Sequence, residues 1–322
     1  MHGQASPVAR IIAFMNANES ALTPTTPTLS RGERETLKVF FSRKMVADSA
    51  SYSPSAGKPA LVVESWKRLG LPLECIGPQP VTVAEFSLAH DEKFVRAVLD
   101  RKADNGFGNR SSEVAASLPY TSGSMLSAAR HALKKGGAAI APCSGFHHAG
   151  YAHVSGFCTF NGLMVTAAVL HHEGAQRIGI LDCDHHEGDG TDHIIQRLGA
   201  NKWVRHFTAG RTYSSPSDAK KFFQRLPGVL EQFADCDVVL YQAGADPHIN
   251  DPLGGWLTTA QLLERDRAVF QTLSAMKLPV AWNLAGGYQR EADGTIPKVL
   301  EIHDNTLRAC AESYLHEVSH SV

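Results

Sequence analysis

Apolar residues in this chain gather into short runs that stop abruptly on glycine, aspartate, histidine or proline. Leu37-Lys-Val-Phe-Phe41, Ala138-Ala-Ile-Ala-Pro142, Ile178-Gly-Ile-Leu181, Val204 to Ala209, Val238-Val-Leu-Tyr-Gln242 and Val280-Ala-Trp-Asn-Leu284 have this form. Such runs predict strands buried on both faces, the mark of a parallel sheet. Helical spacing lies between them. Ala60–Leu69 closes on Gly70, and Ala89–Leu99 has apolar residues at 94, 95, 98 and 99. A helix through Met125, Leu126, Ala129 and Leu133 has Ser122 or Ser124 as its cap and stops at Gly136-Gly137. Further helices are expected over about 163–171, 258–276 and 296–314. Residues 46–60 and 102–121, rich in Ser, Gly and Pro, read as loops. The alternation predicts an α/β fold with a single parallel β-sheet sandwiched between helices in three layers.

What matters is where the polar residues fall. His147-His148 follows the run at 138–142, and Asp182-Cys-Asp184-His-His186 closes the run at 178–181. Asp246 follows the run at 238–242, and Tyr288 follows the run at 280–284. In an open parallel sheet the carboxyl ends of the strands share one edge, so these separate segments can meet in one crevice. Asp184 and His186 are two residues apart and point to the same side of extended backbone. A hard carboxylate and an imidazole converging there suit a divalent metal such as zinc or iron(II).

Composition narrows the function. At 322 residues, 43% hydrophobic and 20% charged, the chain reads as a globular protein with room for a large core. A formal net charge of −1 gives no basic field for nucleic acid. Six cysteines without close pairing do not make a disulfide framework, which fits a reducing, cytoplasmic setting. No apolar run approaches the roughly 20 residues that span a bilayer. Residues 1–36 read as a loosely ordered N-terminal extension and 37–322 as a single catalytic domain. The expected partners are therefore a small-molecule or peptide substrate, with no nucleic acid and no membrane; a homo-oligomer is compatible with the sequence.

The chemistry follows from the residue types. Asp184, His186 and Asp246 can supply the three protein ligands of a catalytic zinc site. Zinc lowers the pKa of its water toward about 7 and so provides a nucleophile at neutral pH. His147 and His148 can act as general base and acid, with Asp182 and Asp189 available to fix their tautomers. Tyr288, behind two glycines that permit close backbone approach, can donate its hydroxyl to a developing oxyanion. These parts suit metal-assisted hydrolysis of an amide.

With these residues assembled, the chain resembles the histone deacetylase and acetylpolyamine amidohydrolase family, of the arginase-deacetylase fold, over about residues 37–315. The resemblance rests on Phe146-His147-His148-Ala149, Ser155-Gly156-Phe157-Cys158, Asp182 to Thr191, Gly244-Ala-Asp246 and Gly286-Gly287-Tyr288. It implies Asp184, His186 and Asp246 as the zinc ligands and excludes His185, which takes a normally apolar position. It also implies that Asp182 pairs with His147 and Asp189 with His148. A narrow acyl-amine channel would be bordered by Gly156, Phe157, Gly286 and Gly287, and a potassium ion would sit near Asp182.

The implied activity is zinc-dependent removal of an acetyl or other small acyl group from an acetyl-lysine or acetylpolyamine type of amide, by attack of metal-bound water. Three departures fall at the rim. Gly57-Lys58-Pro59-Ala60 stands where many members read His-Pro-Glu-Arg, the loop at 102–121 has only Asp104 and Glu113 for a substrate-gripping aspartate, and no second channel phenylalanine follows Thr208. Two rivals are an arginase-like dimanganese ureohydrolase, which needs more bridging aspartates, and a non-catalytic acyl-ligand binding or partner-docking protein, which needs no proton shuttle.

Overall fold

Buried strands need cover on both sides, and this chain supplies it from two sets of helices. The computed structural model describes residues 35–315; the extension expected over 1–36 lies outside them except for its last two residues. Seven strands make one wholly parallel sheet: β1 (Leu37–Phe40), β2 (Leu73–Ile76), β3 (Ala138–Ala141), β4 (Ile178–Asp182), β5 (Val204–Thr208), β6 (Val238–Gln242) and β7 (Val280–Asn283). Their order across the sheet is β2-β1-β3-β7-β6-β4-β5.

Successive side chains of a strand point to opposite faces, and the core divides accordingly. Leu37, Val39, Ile140, Leu181, Val239, Tyr241, Val280 and Trp282 belong to one apolar cluster. That cluster also takes residues from α1 (Lys58–Lys67), α7 (Ala219–Glu231), α8 (Thr259–Ala275) and α9 (Pro297–Tyr314). Phe40, Ala139, Ala141, Ile178, Ile180, Leu240 and Ala281 belong to the other. There the cover comes from α2 (Val83–Phe86), α3 (Glu92–Leu99), α4 (Ser112–Lys135), α5 (Gly162–His172) and α6 (Asp189–Leu198). The result is the three-layer α/β/α arrangement expected from the sequence.

The main departure is α4, which begins at Ser112 and takes up the second half of the stretch expected to be loop. Ser111 caps it, its hydroxyl accepting the Val114 N–H at 3.3 Å. Pro119 lies inside the helix without ending it. Ser122, Gly123 and Ser124 look like punctuation in sequence but form its contact face. A Cβ on Gly123 would lie 2.0 Å from the Gln79 carbonyl oxygen, and Ser124 Oγ donates to the Phe40 carbonyl at 2.6 Å. Small residues are here because backbone approaches backbone.

Helices α6 and α7 and the edge strand β2 carried no clear expectation. β2 reads Leu-Glu-Cys-Ile with both middle residues exposed, so no apolar run marks it. Among the described residues no helix is long and apolar enough to cross a membrane. All six cysteines are free, and Cys158 and Cys183 are buried as small apolar side chains.

Candidate active site

Strands β3, β7, β6 and β4 stand side by side at the centre of the sheet. The segments leaving their carboxyl ends carry, in the same order, His147-His148, Gly286-Gly287-Tyr288, Asp246 and Asp184-His186. Neighbouring strands in register deliver these groups to one edge, the usual ligand crevice of a parallel sheet.

Asp184, His186 and Asp246 each offer one ligand atom, and the three atoms lie within 4.8 Å of one another. His186 Nδ1 is 3.3 Å from Asp184 Oδ1 and 3.1 Å from Asp246 Oδ2. Backbone donors aim the carboxylates: the Gly286 N–H reaches Asp184 Oδ2 at 2.9 Å, the His186 N–H reaches Asp184 Oδ1 at 3.0 Å, and the His185 N–H reaches Asp246 Oδ1 at 3.2 Å. Gly286 must be glycine, since a Cβ there would stand 2.2 Å from Asp246 Oδ2.

The electrostatics fit a bound cation. Burial and the charge of Asp184 push Asp246 up to about 7. Burial works against the charged form of His186, but Asp184 and Asp246 outweigh it and lift its pKa to about 10. Two hard oxygens and one imidazole nitrogen suit zinc or iron(II), and the protons this cluster retains are those a metal would displace.

The histidine pair is set beside this cluster with its rings 4.1 Å apart. His147 Nδ1 is 2.8 Å from Asp182 Oδ2, and its Nε2 is 3.7 Å from Asp184 Oδ1. His148 Nδ1 is 2.6 Å from Asp189 Oδ1. Both pairings are those the resemblance implied. Burial disfavours the charged form of His147, but Asp182, Asp184 and Asp246 together raise its pKa to about 9. His148 moves the other way, lowered by burial and by the charge of His147. Asp182 spends its carboxylate on His147, on Gln242 Nε2 at 3.2 Å and on the Asp184 N–H at 3.1 Å.

Tyr288 reaches the site from a loop pinned at two points. Its N–H donates to Asp251 Oδ2 at 2.8 Å. Upstream, Lys58 Nζ donates to the carbonyls of Ala285 at 2.6 Å and Gly286 at 3.1 Å. Ala285 has φ +50°, a left-handed conformation costly for alanine. Burial draws the Lys58 pKa down to about 8, against the raising pull of Asp246, Asp184 and Asp251. Burial, with Asp246 and Asp184 nearby, raises the Tyr288 phenol well above its ordinary value, so it stays a donor at neutral pH.

Beside Tyr288 the Phe157 ring lies 5.8 Å away, with Tyr52 at 5.4 Å and Phe107 at 6.2 Å from Phe157. Gly156, at φ +52°, leaves room for His148, whose Cδ2 would be 2.4 Å from a Cβ there.

The remaining polar residues fall outside the cluster. His185 abuts Gly254, and His248 binds Thr259 and Gln289. Asp104 pairs with Arg110, and Glu113 accepts the Asp48 N–H. After Thr208, Arg211 ties itself to Glu187 and Asp192 rather than lining a channel with an aromatic ring. His171 stacks on Trp203 in the tail of α5.

Sequence reasoning missed Lys58 and Asp251. Lys58 sits where a helix-start lysine ordinarily meets water, and Asp251-Pro252 reads as a turn; their partners lie far along the chain. His90 was also missed. Its Nδ1 is 3.0 Å from the Gly150 carbonyl and its Nε2 accepts the Asn161 N–H at 2.9 Å, bracing the segment that follows the histidine pair.

Residues 54–204 and 211–300 match the family described as Histone deacetylase domain. An uncharacterized protein of Picosynechococcus is 31% identical over 277 residues, covering 78% of this chain and 86% of that one. Solved structures share the fold, two of them over most of this chain. The HDA15 HD domain superimposes with a TM-score of 0.70 at 19% identity, covering 88% of this chain and 92% of its own. Acetylpolyamine aminohydrolase from Burkholderia pseudomallei does so with a TM-score of 0.65 at 17% identity, covering 86% and 99%.

Proposed function

This chain belongs to the histone deacetylase family, and from that membership and the site's geometry we propose that it hydrolyses an N-acylated amine, of acetyl-lysine or acetylpolyamine type, in a zinc-dependent reaction. The observation that carries this reading is the meeting of Asp184, His186 and Asp246 within 4.8 Å, with the histidine pair hydrogen-bonded to Asp182 and Asp189 beside them. Asp184, His186 and Asp246 would hold the zinc ion, which supplies a Lewis acid and a water acidic enough to lose its proton near neutral pH. Potassium near Asp182 rests on the resemblance alone.

The chain's own residues divide the rest. His148 is the proton carrier: its side chain is 19% exposed and its partner Asp189 is 62% exposed, so it faces the open side of the site. It takes a proton from the attacking water and returns it to the departing amine nitrogen. His147, buried between Asp182 and Asp184, packs its ring 4.1 Å from that of its neighbour and holds it in place. Tyr288 donates to the acyl oxygen as negative charge develops there. Phe157, with Gly156, Gly286 and Gly287, would line the passage for the acylated arm. All of these groups lie on the domain that begins near residue 37.

The test is turnover of a fluorogenic acetyl-lysine amide and of acetylated polyamines by purified protein carrying one zinc per chain. Hydrolysis of either class supports the reading. Failure on both classes by the zinc-loaded protein overturns it.

Asp189→Asn tests the proton assignment. A base must be neutral to accept a proton, so kcat falls as pH drops through the His148 pKa. Asp189 raises that pKa through its hydrogen bond and its charge. Removing the charge therefore moves the acid limb of the pH profile to lower pH, with a lower plateau because the ring loses its partner. An unmoved acid limb assigns the proton transfer to another group.

A further inference from the structure

Among the described residues only one arginine and one lysine are fully buried, Arg265 and Lys58. Each spends its charge on backbone carbonyls next to the site. Lys58 serves the Tyr288 loop, and Arg265 serves the two strands that carry the acidic ligands. Arg265 lies on α8, and Asp266 beside it is also fully buried. Its Nη1 donates to the Cys183 carbonyl at 3.0 Å and to the Gly244 carbonyl at 2.9 Å. Cys183 immediately precedes Asp184, and Gly244 stands two residues before Asp246. Its Nε donates to Asp266 Oδ1 at 2.8 Å. Asp266 is held in turn by the hydroxyls of Tyr241, on β6, and Thr306, on α9.

We propose that Arg265 is a positioning residue that sets the separation of the Asp184 and Asp246 carboxylates, and so the affinity and geometry of the metal site. The placement explains why one nitrogen bridges these two carbonyls. β4 ends at Asp182 and β6 at Gln242, and the pairing of their strands ends with them. Beyond that point one further backbone-to-backbone bond, Cys183 N–H to the Gln242 carbonyl, joins the segments, and the other contacts between them run through the Asp246 carboxylate itself. The segments then pass at contact distance, since a Cβ on Gly244 would lie 2.8 Å from Asp184 Cα. With the ladder ended, the guanidinium nitrogen is what links the Cys183 and Gly244 carbonyls.

Stability alone does not account for the pair. A buried ion pair commonly contributes no more than well-packed apolar residues of similar volume, because both charges lose their hydration. The Arg265–Asp266 pair also leaves Arg265 Nη2 buried without a partner among the described residues. What an apolar replacement cannot supply is a donor shared by two carbonyls on different strands. Partners of this outer kind orient metal ligands, and their loss typically costs about 10- to 100-fold in metal affinity.

The proposal rests on Asp184, His186 and Asp246 being metal ligands, and its test reads the metal directly. Arg265→Lys keeps the positive charge beside Asp266 but loses the planar head that reaches both carbonyls. Zinc affinity is measured by competition with a chromophoric chelator, and geometry by the visible absorption bands of the cobalt(II)-substituted protein. Zinc binding by Arg265→Lys is expected to weaken about 10- to 100-fold, with shifted cobalt bands.

Tyr241→Phe and Thr306→Val each remove one hydrogen bond to Asp266 and leave Arg265 in place. They are expected to weaken zinc in the same direction by less, and they carry the test if Arg265→Lys does not fold. Lower thermal stability with wild-type zinc affinity and cobalt bands in every folded variant would mean a merely structural pair and overturn the proposal. Wild-type protein that binds no zinc overturns the ligand assignment and this proposal together, whereas zinc-binding wild type with unchanged variants overturns only the role of Arg265.

Discussion

Asp246→Asn is expected to leave the purified protein without stoichiometric zinc and to lower turnover on the order of 10³-fold, given several kcal/mol of lost transition-state stabilisation at 1.36 kcal/mol per decade. The substitution keeps the size and much of the hydrogen bonding of the side chain, so the loss isolates its charge. Asp246 is fully buried, and its Oδ2 lies 3.1 Å from His186 Nδ1. An amide in its place leaves one carboxylate and one imidazole, too few for the usual three-ligand catalytic site. Elemental analysis and the chelator competition assay read the first effect, and the fluorogenic amide reads the second.

Wild-type protein adds a control with a definite sign. Asp246 sits at about 7 and His186 at about 10 when the cluster holds protons instead of metal. Zinc must displace those protons, so its affinity falls as pH is lowered from 8 to 6. Asp246→Asn with full zinc and near wild-type turnover would remove Asp246 from the ligand set.

Much of this arrangement was legible in the chain because two signals coincide. A strand buried on both faces is an unbroken apolar run, and a catalytic group at its carboxyl end is a polar residue just after the run. β3, β4, β6 and β7 show both signals, and they prove to be the four adjacent central strands. The elements that escaped reading lack one of them. β2 is an exposed edge with no apolar run, and α4 hides its contact face in small residues that resemble a loop.

The supporting charges were illegible for a different reason. Lys58 binds carbonyls 227 and 228 residues away, and Arg265 binds carbonyls 82 and 21 residues away. A backbone carbonyl has no residue identity, so neither interaction leaves a pattern in sequence. The proposed acidic ligands and Tyr288 announce themselves by type and position; the groups that hold them show only in three dimensions.

That division between acting and holding groups gives Tyr288→Phe a sharp expectation. Turnover of the acetyl-lysine amide should fall about 10²- to 10³-fold, the usual effect of losing one oxyanion donor. The change removes a single oxygen and leaves the ring in place beside Phe157. The loop should keep its shape, because it is pinned through its backbone: Asp251 holds the residue-288 N–H, and Lys58 holds the carbonyls of Ala285 and Gly286. The Gly286 N–H bond to Asp184 Oδ2 is untouched as well, so zinc affinity should match wild type.

Burial and the neighbouring carboxylates keep the phenol protonated, which makes the lost group a neutral donor throughout the neutral pH range. It acts on charge that appears only as the acyl carbon is attacked, so kcat and kcat/KM should drop together while KM stays near its wild-type value. Steady-state kinetics on zinc-loaded variant and wild type measure this directly. Unchanged kcat with full zinc would mean that the acyl oxygen is stabilised without the phenol, and a loss confined to KM would place Tyr288 in binding the substrate rather than in its chemistry.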